Sequence, residues 1–154
     1  MPTCSTKYQG EIEYSEDAVL NFAWGPFGFE AETRFVLIEV PPARPIVFLQ
    51  SLATPGLCFV ALPVFVVDPA YRLSLAPEDL SALELPANRQ PRIGEEVLCL
   101  VLITVQKNRP TTANLMAPVV VNLGSRNALQ TLAFEVNYSH QHEFLQPEED
   151  AVCS

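Results

Sequence analysis

Basic side chains are scarce in this chain of 154 residues: 9 Lys and Arg stand against 18 Asp and Glu, for a formal charge of −9 and a pI near 4.6. A phosphate-backbone footprint needs clustered positive charge, so nucleic acid is excluded as a direct ligand. The same imbalance suits a soluble protein that attracts a basic partner. Glycine is also rare, at 6 residues, and no Gly-rich phosphate loop or G-x-S-x-G nucleophile turn occurs. The four cysteines, Cys4, Cys58, Cys99 and Cys153, form no C-x-x-C pair. Cys58 and Cys99 sit in apolar runs and read as small hydrophobes rather than disulfide partners or reactive thiols. Cys4 and Cys153 lie near the two ends, and their pairing stays open. Long apolar runs are missing as well. The longest, 56–67, is broken by Pro63 and falls short of the ~18–20 residues a membrane-spanning helix requires. Met1 to Gln9 carries no apolar stretch of the secretory kind, which predicts a cytoplasmic protein with reduced thiols.

What is plentiful is proline, at 14 residues, in a chain that is 49% hydrophobic and only 18% charged. That composition excludes disorder and supplies one core. Proline stops strands and helices, so many short elements with rigid turns are expected. Lys7 to Tyr14 alternates, with Tyr8, Ile12 and Tyr14 on one face and Lys7, Gln9, Glu11 and Glu13 on the other, the period of a half-exposed strand. Short apolar strands are expected at 18–22, 35–40, 46–52, 57–62, 117–122 and 130–138. Between the first two lies Trp24-Gly25-Pro26-Phe27-Gly28-Phe29-Glu30, a turn whose aromatics are expected to fold back on the core. Val97 to Val105 is apolar up to Thr104 and predicts a central strand covered on both faces. One helix is expected over 77–85, with Pro77 at its first position, Glu78 and Asp79 at its positive end and Leu80, Leu83 and Leu85 as its stripe. The pattern predicts a mostly β fold, a single small antiparallel barrel or sandwich-like domain over 7–145 with one short helix. An acidic tail, 146–154, carries Glu148-Glu149-Asp150 and is expected to be solvated.

Candidate chemistry is thin. His140 and His142 share an i, i+2 spacing and would point the same way on an extended segment, the basis for an alternative reading as a small metal- or ligand-binding β-barrel. No third histidine completes such a set, no nucleophile–base pair assembles, and neither catalysis nor a cofactor is expected. More distinctive are polar residues embedded in apolar strands: Gln50 and Ser51, and Thr111, Thr112 and Asn114 ahead of Leu115–Val121. Their side chains are suited to satisfying backbone groups at strand ends and turns. Glu11 and Glu13 form an acidic pair on the solvent face of the first strand and are candidate partner contacts.

Thr112-Ala113-Asn114-Leu115-Met116-Ala117-Pro118-Val119-Val120-Val121-Asn122 closely resembles the T-A-N-L-x-A-P-[IV]-x-[IV]-N signature of the flagellar assembly factor FliW family. Further stretches agree in order. Gly25 with Gly28-Phe29-Glu30 resembles the family's G-x-x-G-F-E turn, and Leu49-Gln50-Ser51 its L-Q-S strand. Tyr71, Leu75 and Asp79-Leu80 resemble the approach to its helix, and Arg126, Gln130 and Tyr138 its R…Q…Y spacing. Three places depart: Phe27 stands where the family has proline, Pro63-Val64-Phe65 where Asp-Pro-Phe is usual, and Gln141-His142 where Arg-His is usual. The resemblance implies a cytoplasmic, non-enzymatic protein with two partners. One is flagellin, held before export. The other is the translational regulator CsrA, a basic RNA-binding dimer whose repression of flagellin translation it relieves. The motif residues Gln50, Ser51, Tyr71, Thr112, Asn114, Arg126, Gln130 and Tyr138 are thereby the candidate site, with Glu11 and Glu13 from the strand pattern.

Overall fold

The computed structural model describes residues 2–133 and 138–143. An N-terminal hairpin, β1 (Thr3–Thr6) and β2 (Gly10–Glu13), forms its own two-stranded antiparallel sheet. The strand expected over Lys7–Tyr14 is thus shortened: residues 7–9 form the hairpin turn and only Gly10–Glu13 is a strand, paired with Thr3–Thr6 upstream. Gly10 takes a positive φ of 68° at the end of that turn, and Tyr8, placed in it rather than on the Ile12 face, is 62% exposed. Glu11 and Glu13 are exposed, as the alternation requires.

The main sheet follows: β3 (Leu20–Phe22), β4 (Arg34–Glu39), β5 (Val47–Ser51), β6 (Cys58–Pro63), then two short helices, α1 (Val64–Val67) and α2 (Pro77–Ala82). β7 (Val97–Thr104), β8 (Thr112–Ala113), β9 (Val119–Asn122), β10 (Asn127–Gln130) and β11 (His142–Glu143) complete it. The order β7-β6-β5-β4-β3-β10-β9 closes on itself through a β7–β9 pairing, making a seven-stranded barrel, with β8 and β11 added beside β7. All pairings are antiparallel except β3 with β10, which run parallel. The sheet is thus mixed, because the chain enters β10 from the β9 turn in the direction of β3.

Alternation assigns the two cores. Leu20, Phe22, Phe35, Leu49, Ala61, Leu100, Val119, Val121 and Ala128 fill the barrel interior. The opposite face of β7, with Val97, Cys99, Val101 and Ile103, packs under Tyr71, Leu75, Leu80 and Leu83 from the α1–α2 segment. This is why β7 is apolar at successive positions: even residues face the barrel and odd residues a second core. The α2 segment behaves as its sequence indicates, with Pro77 in the first turn and Leu80 and Leu83 buried, but the helix ends at Ala82 and Glu84 takes a positive φ of 57°. Helix α1 has no counterpart among the expected elements: Pro63, read as a stop, is also its N-cap residue. Of the strand expected over 130–138, Gln130 ends β10 and 131–133 are not strand, although the Thr131 and Ala133 N–H groups still bond to the Pro118 and Met116 carbonyls at 3.1 and 2.7 Å. Residues 134–137 and the tail 146–154 lie outside the described residues, as does Cys153. Cys4, Cys58 and Cys99 are free thiols. No helix among the described residues is long and apolar enough to cross a membrane.

Candidate functional site

The signature segment runs from β8 into β9 and folds on its own side chains. Asn114 Oδ1 accepts the N–H groups of Met116 and Ala117, each at 3.1 Å, and so bends the chain between the strands. Asn122 closes the far end of β9 in the same manner, accepting from Gly124 at 2.8 Å and Ser125 at 3.3 Å. Its Nδ2 donates to the Leu83 carbonyl at 2.7 Å, which ties the α2 segment to the barrel. Between these two asparagines Leu115, Ala117 and Val119–Val121 are all buried. Thr112 lies in β8, opposite Thr104 of β7 and Glu143 of β11.

Tyr71 and Tyr138 meet beside this segment. Their rings stack at 4.4 Å and 22°, the Tyr71 hydroxyl donates to the Leu115 carbonyl at 2.9 Å, and the Tyr138 hydroxyl accepts the Arg72 N–H at 2.9 Å. Burial first, and then the neighbouring Cys99 thiol, raise the Tyr71 phenol above its ordinary range. Cys99 itself is pushed up to about 12 by burial, which leaves its thiol protonated and unreactive.

Gln50, Ser51 and Gln130 sit elsewhere. Gln50 faces outward from β5 but is fully buried near the N-terminal hairpin, donating to the carbonyls of Ser51 at 3.0 Å and Pro55 at 3.2 Å. The Pro55 carbonyl also accepts the Lys7 N–H at 2.9 Å, so one loop links β5 to the hairpin. Gln50 Oε1 is buried without a hydrogen-bond partner. Ser51 Oγ donates to Glu32 at 3.0 Å and accepts from Ala53 and Thr54. Glu32 also binds the Thr54 hydroxyl. Gln130 bridges two motifs, accepting the Phe27 N–H and donating to the Ala117 carbonyl, both at 2.9 Å. Arg126 takes a positive φ of 67°, and its backbone connects Asn122 to Asn21, carrying the chain from β9 towards the parallel β3–β10 pair.

The glycine turn depends on its glycines. A Cβ on Gly25 would lie 2.1 Å from the Phe29 carbonyl oxygen and 2.3 Å from that of Glu32, and Gly28 has a φ of 87°. The aromatics do not fold back on the core as expected. Phe29 packs edge-on against Phe59 at 5.4 Å, yet Trp24, Phe27 and Phe29 are 38–44% exposed. Exposed aromatics at this turn are a surface feature that sequence reading missed, and its one available signal was the crowding of large rings between glycines.

The motif residues therefore do not converge on one pocket. Tyr71, Tyr138, Thr112 and Asn114 gather at the β8 side, Gln50 and Ser51 at the loop under the hairpin, and Gln130 at the glycine turn. Glu11 and Glu13 stand apart on the exposed hairpin. His140 is exposed and His142 half-buried in the short strand β11, opposite Ala113. Among the described residues no group of three His, Cys, Asp or Glu side chains could hold a metal ion.

A family model described as FliW protein matches residues 3–144. The chain is 34% identical to the flagellar assembly factor FliW of Syntrophomonas wolfei over 139 residues, covering 90% of this chain and 85% of that one. It is also 34% identical to the flagellar assembly factor FliW of Geobacillus thermodenitrificans over 138 residues, covering 90% of this chain and 92% of the relative. A crystal structure of the flagellar assembly factor FliW superposes with a TM-score of 0.80 at 34% identity, over 94% of this chain and 98% of the other. With residues 3–144 matched by the family model and the fold shared with a FliW crystal structure, the chain belongs to the FliW family of flagellar assembly factors, which are protein-binding regulators and not enzymes.

Proposed function

We propose that this chain works in the cytoplasm as a two-partner switch, holding flagellin before export and, once flagellin leaves, binding the translational regulator CsrA and relieving its repression of flagellin translation. The observation that carries this reading is an exposed acidic strand edge, Glu11 and Glu13 on β2, in a molecule of net charge −9. A basic RNA-binding dimer is drawn to such a surface, since complementary potentials raise the encounter rate and discourage wrong partners. The exposed rings of Trp24, Phe27 and Phe29 supply apolar anchors of the kind that hold a protein partner once it has arrived. In this reading Gln50, Ser51, Tyr71, Thr112, Asn114, Arg126, Gln130 and Tyr138 shape the scaffold that presents these surfaces.

The test is a pair of calorimetric titrations of the purified chain with flagellin and with CsrA from the same organism. Saturable heat with both partners is expected, and flagellin added to the CsrA complex should release CsrA. Binding to neither protein would overturn the reading.

A further inference from the structure

A groove of about 350 Å³ opens between the hairpin and the barrel, lined by Ile12, Glu13, Tyr14, Val36, Ile38 and Glu39. Two strand edges border it, and both lack a partner strand among the described residues. β2 pairs only with β1. The register Cys4↔Ile12 and the Tyr14 N–H bond to Pro2 turn the backbone groups of Ile12 and Tyr14 towards β1. By the alternation of an antiparallel ladder, those of Glu11 and Glu13 point away from it. The second edge belongs to β4. β3 begins at Leu20, opposite Phe35, so β4 runs on to Glu39 with no strand on that side. The Phe22 N–H bond to Thr33 and the Leu52 N–H bond to Arg34 fix the phase: even residues of β4 bond to β5 and odd residues face the other way. Leu37 and Glu39 thus direct their N–H and C=O groups to the open side.

We propose that this groove receives an extended peptide segment of alternating basic and apolar side chains, which pairs as an added strand with the open edges of β2 and β4. The backbone groups of the edges supply affinity, and the side chains around them choose the sequence. Val36 is buried, and Ile12 and Ile38 are half-buried, so one face of the incoming strand meets an apolar floor. The rim is acidic. Glu16 and Glu39 are engaged by Arg34 at 3.0 Å and Arg44 at 3.5 Å, whereas Glu11, Glu13 and Asp17 have no ion pair among the described residues. Lysines or arginines on the other face of the incoming strand would meet these carboxylates. A second copy of this chain is the wrong occupant, because pairing two β2 edges would set glutamates against glutamates. The inference goes beyond the proposed partners: it states a mode of binding and the chemistry of the segment, whichever protein carries it.

The test uses the full chain and a fluorescent peptide alternating lysine and valine, read by anisotropy, with hydrogen exchange of the backbone amides. Saturable binding is expected, with new protection at Glu11, Glu13, Leu37 and Glu39. A peptide N-methylated at every second residue should bind about tenfold or more weakly, since it can no longer donate to one of the two strand edges. A peptide with glutamate in place of lysine should not bind to the native chain but should bind to the Glu13→Lys/Glu39→Lys variant, both positions being exposed and free of any part in the core. No binding of the lysine–valine peptide, undiminished binding of the N-methylated one, or protection confined to other residues would each overturn the proposal. These outcomes are separate from binding of flagellin or CsrA, so either inference can fail alone.

Discussion

Asn114 turns the signature segment between β8 and β9, its side chain holding the N–H groups of Met116 and Ala117 while its own backbone N–H donates to the Leu102 carbonyl at 3.0 Å. Removing the amide leaves two donors in a half-buried turn without a partner, a loss of about 1–3 kcal/mol. Asn114→Ala should therefore lower the melting temperature by several degrees, at about 2–4 °C per kcal/mol for a domain of this size. Asn114→Asp keeps the accepting oxygen and should recover most of the loss. Differential scanning calorimetry of the two variants checks this. An alanine variant of native stability that no longer binds a partner would make Asn114 a contact residue instead. The sequence made this residue legible because an asparagine ahead of a buried apolar run has few other uses. Glu32 was not legible: it binds Ser51 and Thr54, nineteen and more residues away, and nothing local announces that meeting.

Among the elements, β7 was readable because only a strand covered on both faces can be apolar at successive positions, and α2 because proline, acids and leucines stand in helical order. The turn at 7–9 passes for part of a strand because the alternation of side chains continues through it, and β1 has no apolar pattern to announce it, Thr3–Thr6 being short polar side chains around one cysteine. The parallel β3–β10 pairing was invisible for a different reason: register between distant strands is set by the closed barrel and not by either strand's own pattern. The loop leading into β7 carries an electrostatic device that is testable at this scale. Arg89 holds Glu96 through two bonds of 2.7 Å, and the Arg92 N–H adds a third at 3.0 Å. These hydrogen bonds, Arg89 first, bring the Glu96 carboxyl down to about 2 from 4.5. A folded value below the unfolded one means the contribution is fully present above pH 4.5 and disappears as the pH falls towards 2. Arg89 is half exposed and Glu96 is 26% exposed, so solvent screens the pair and the effect on stability is small. Carboxyl NMR titration should find Glu96 still ionised at pH 3 to 4 and, in Arg89→Ala, titrating at higher pH, towards the ordinary carboxylate range but still held below it by the Arg92 N–H. The same low value in both proteins would rule Arg89 out as the cause.

At the scale of the molecule, the barrel interior is packed with Leu, Val, Phe and Ala, and the distinguishing features are outside: net charge −9, exposed aromatics at the glycine turn and an acidic open edge. Sequence composition disclosed the charge but not its placement beside a groove, which arises only when the hairpin packs over β4 and β5. The most direct test of the central claim, that this surface captures a basic protein regulator, is the association rate of the chain with CsrA, measured by stopped-flow fluorescence across a salt series. Screening shortens to ~8 Å near physiological ionic strength, so the association rate should fall steeply with salt while the dissociation rate changes little. Glu11→Gln/Glu13→Gln should slow association at low salt and flatten its salt dependence. An absence of binding at every salt concentration, or an association rate indifferent to both salt and these substitutions, would contradict it.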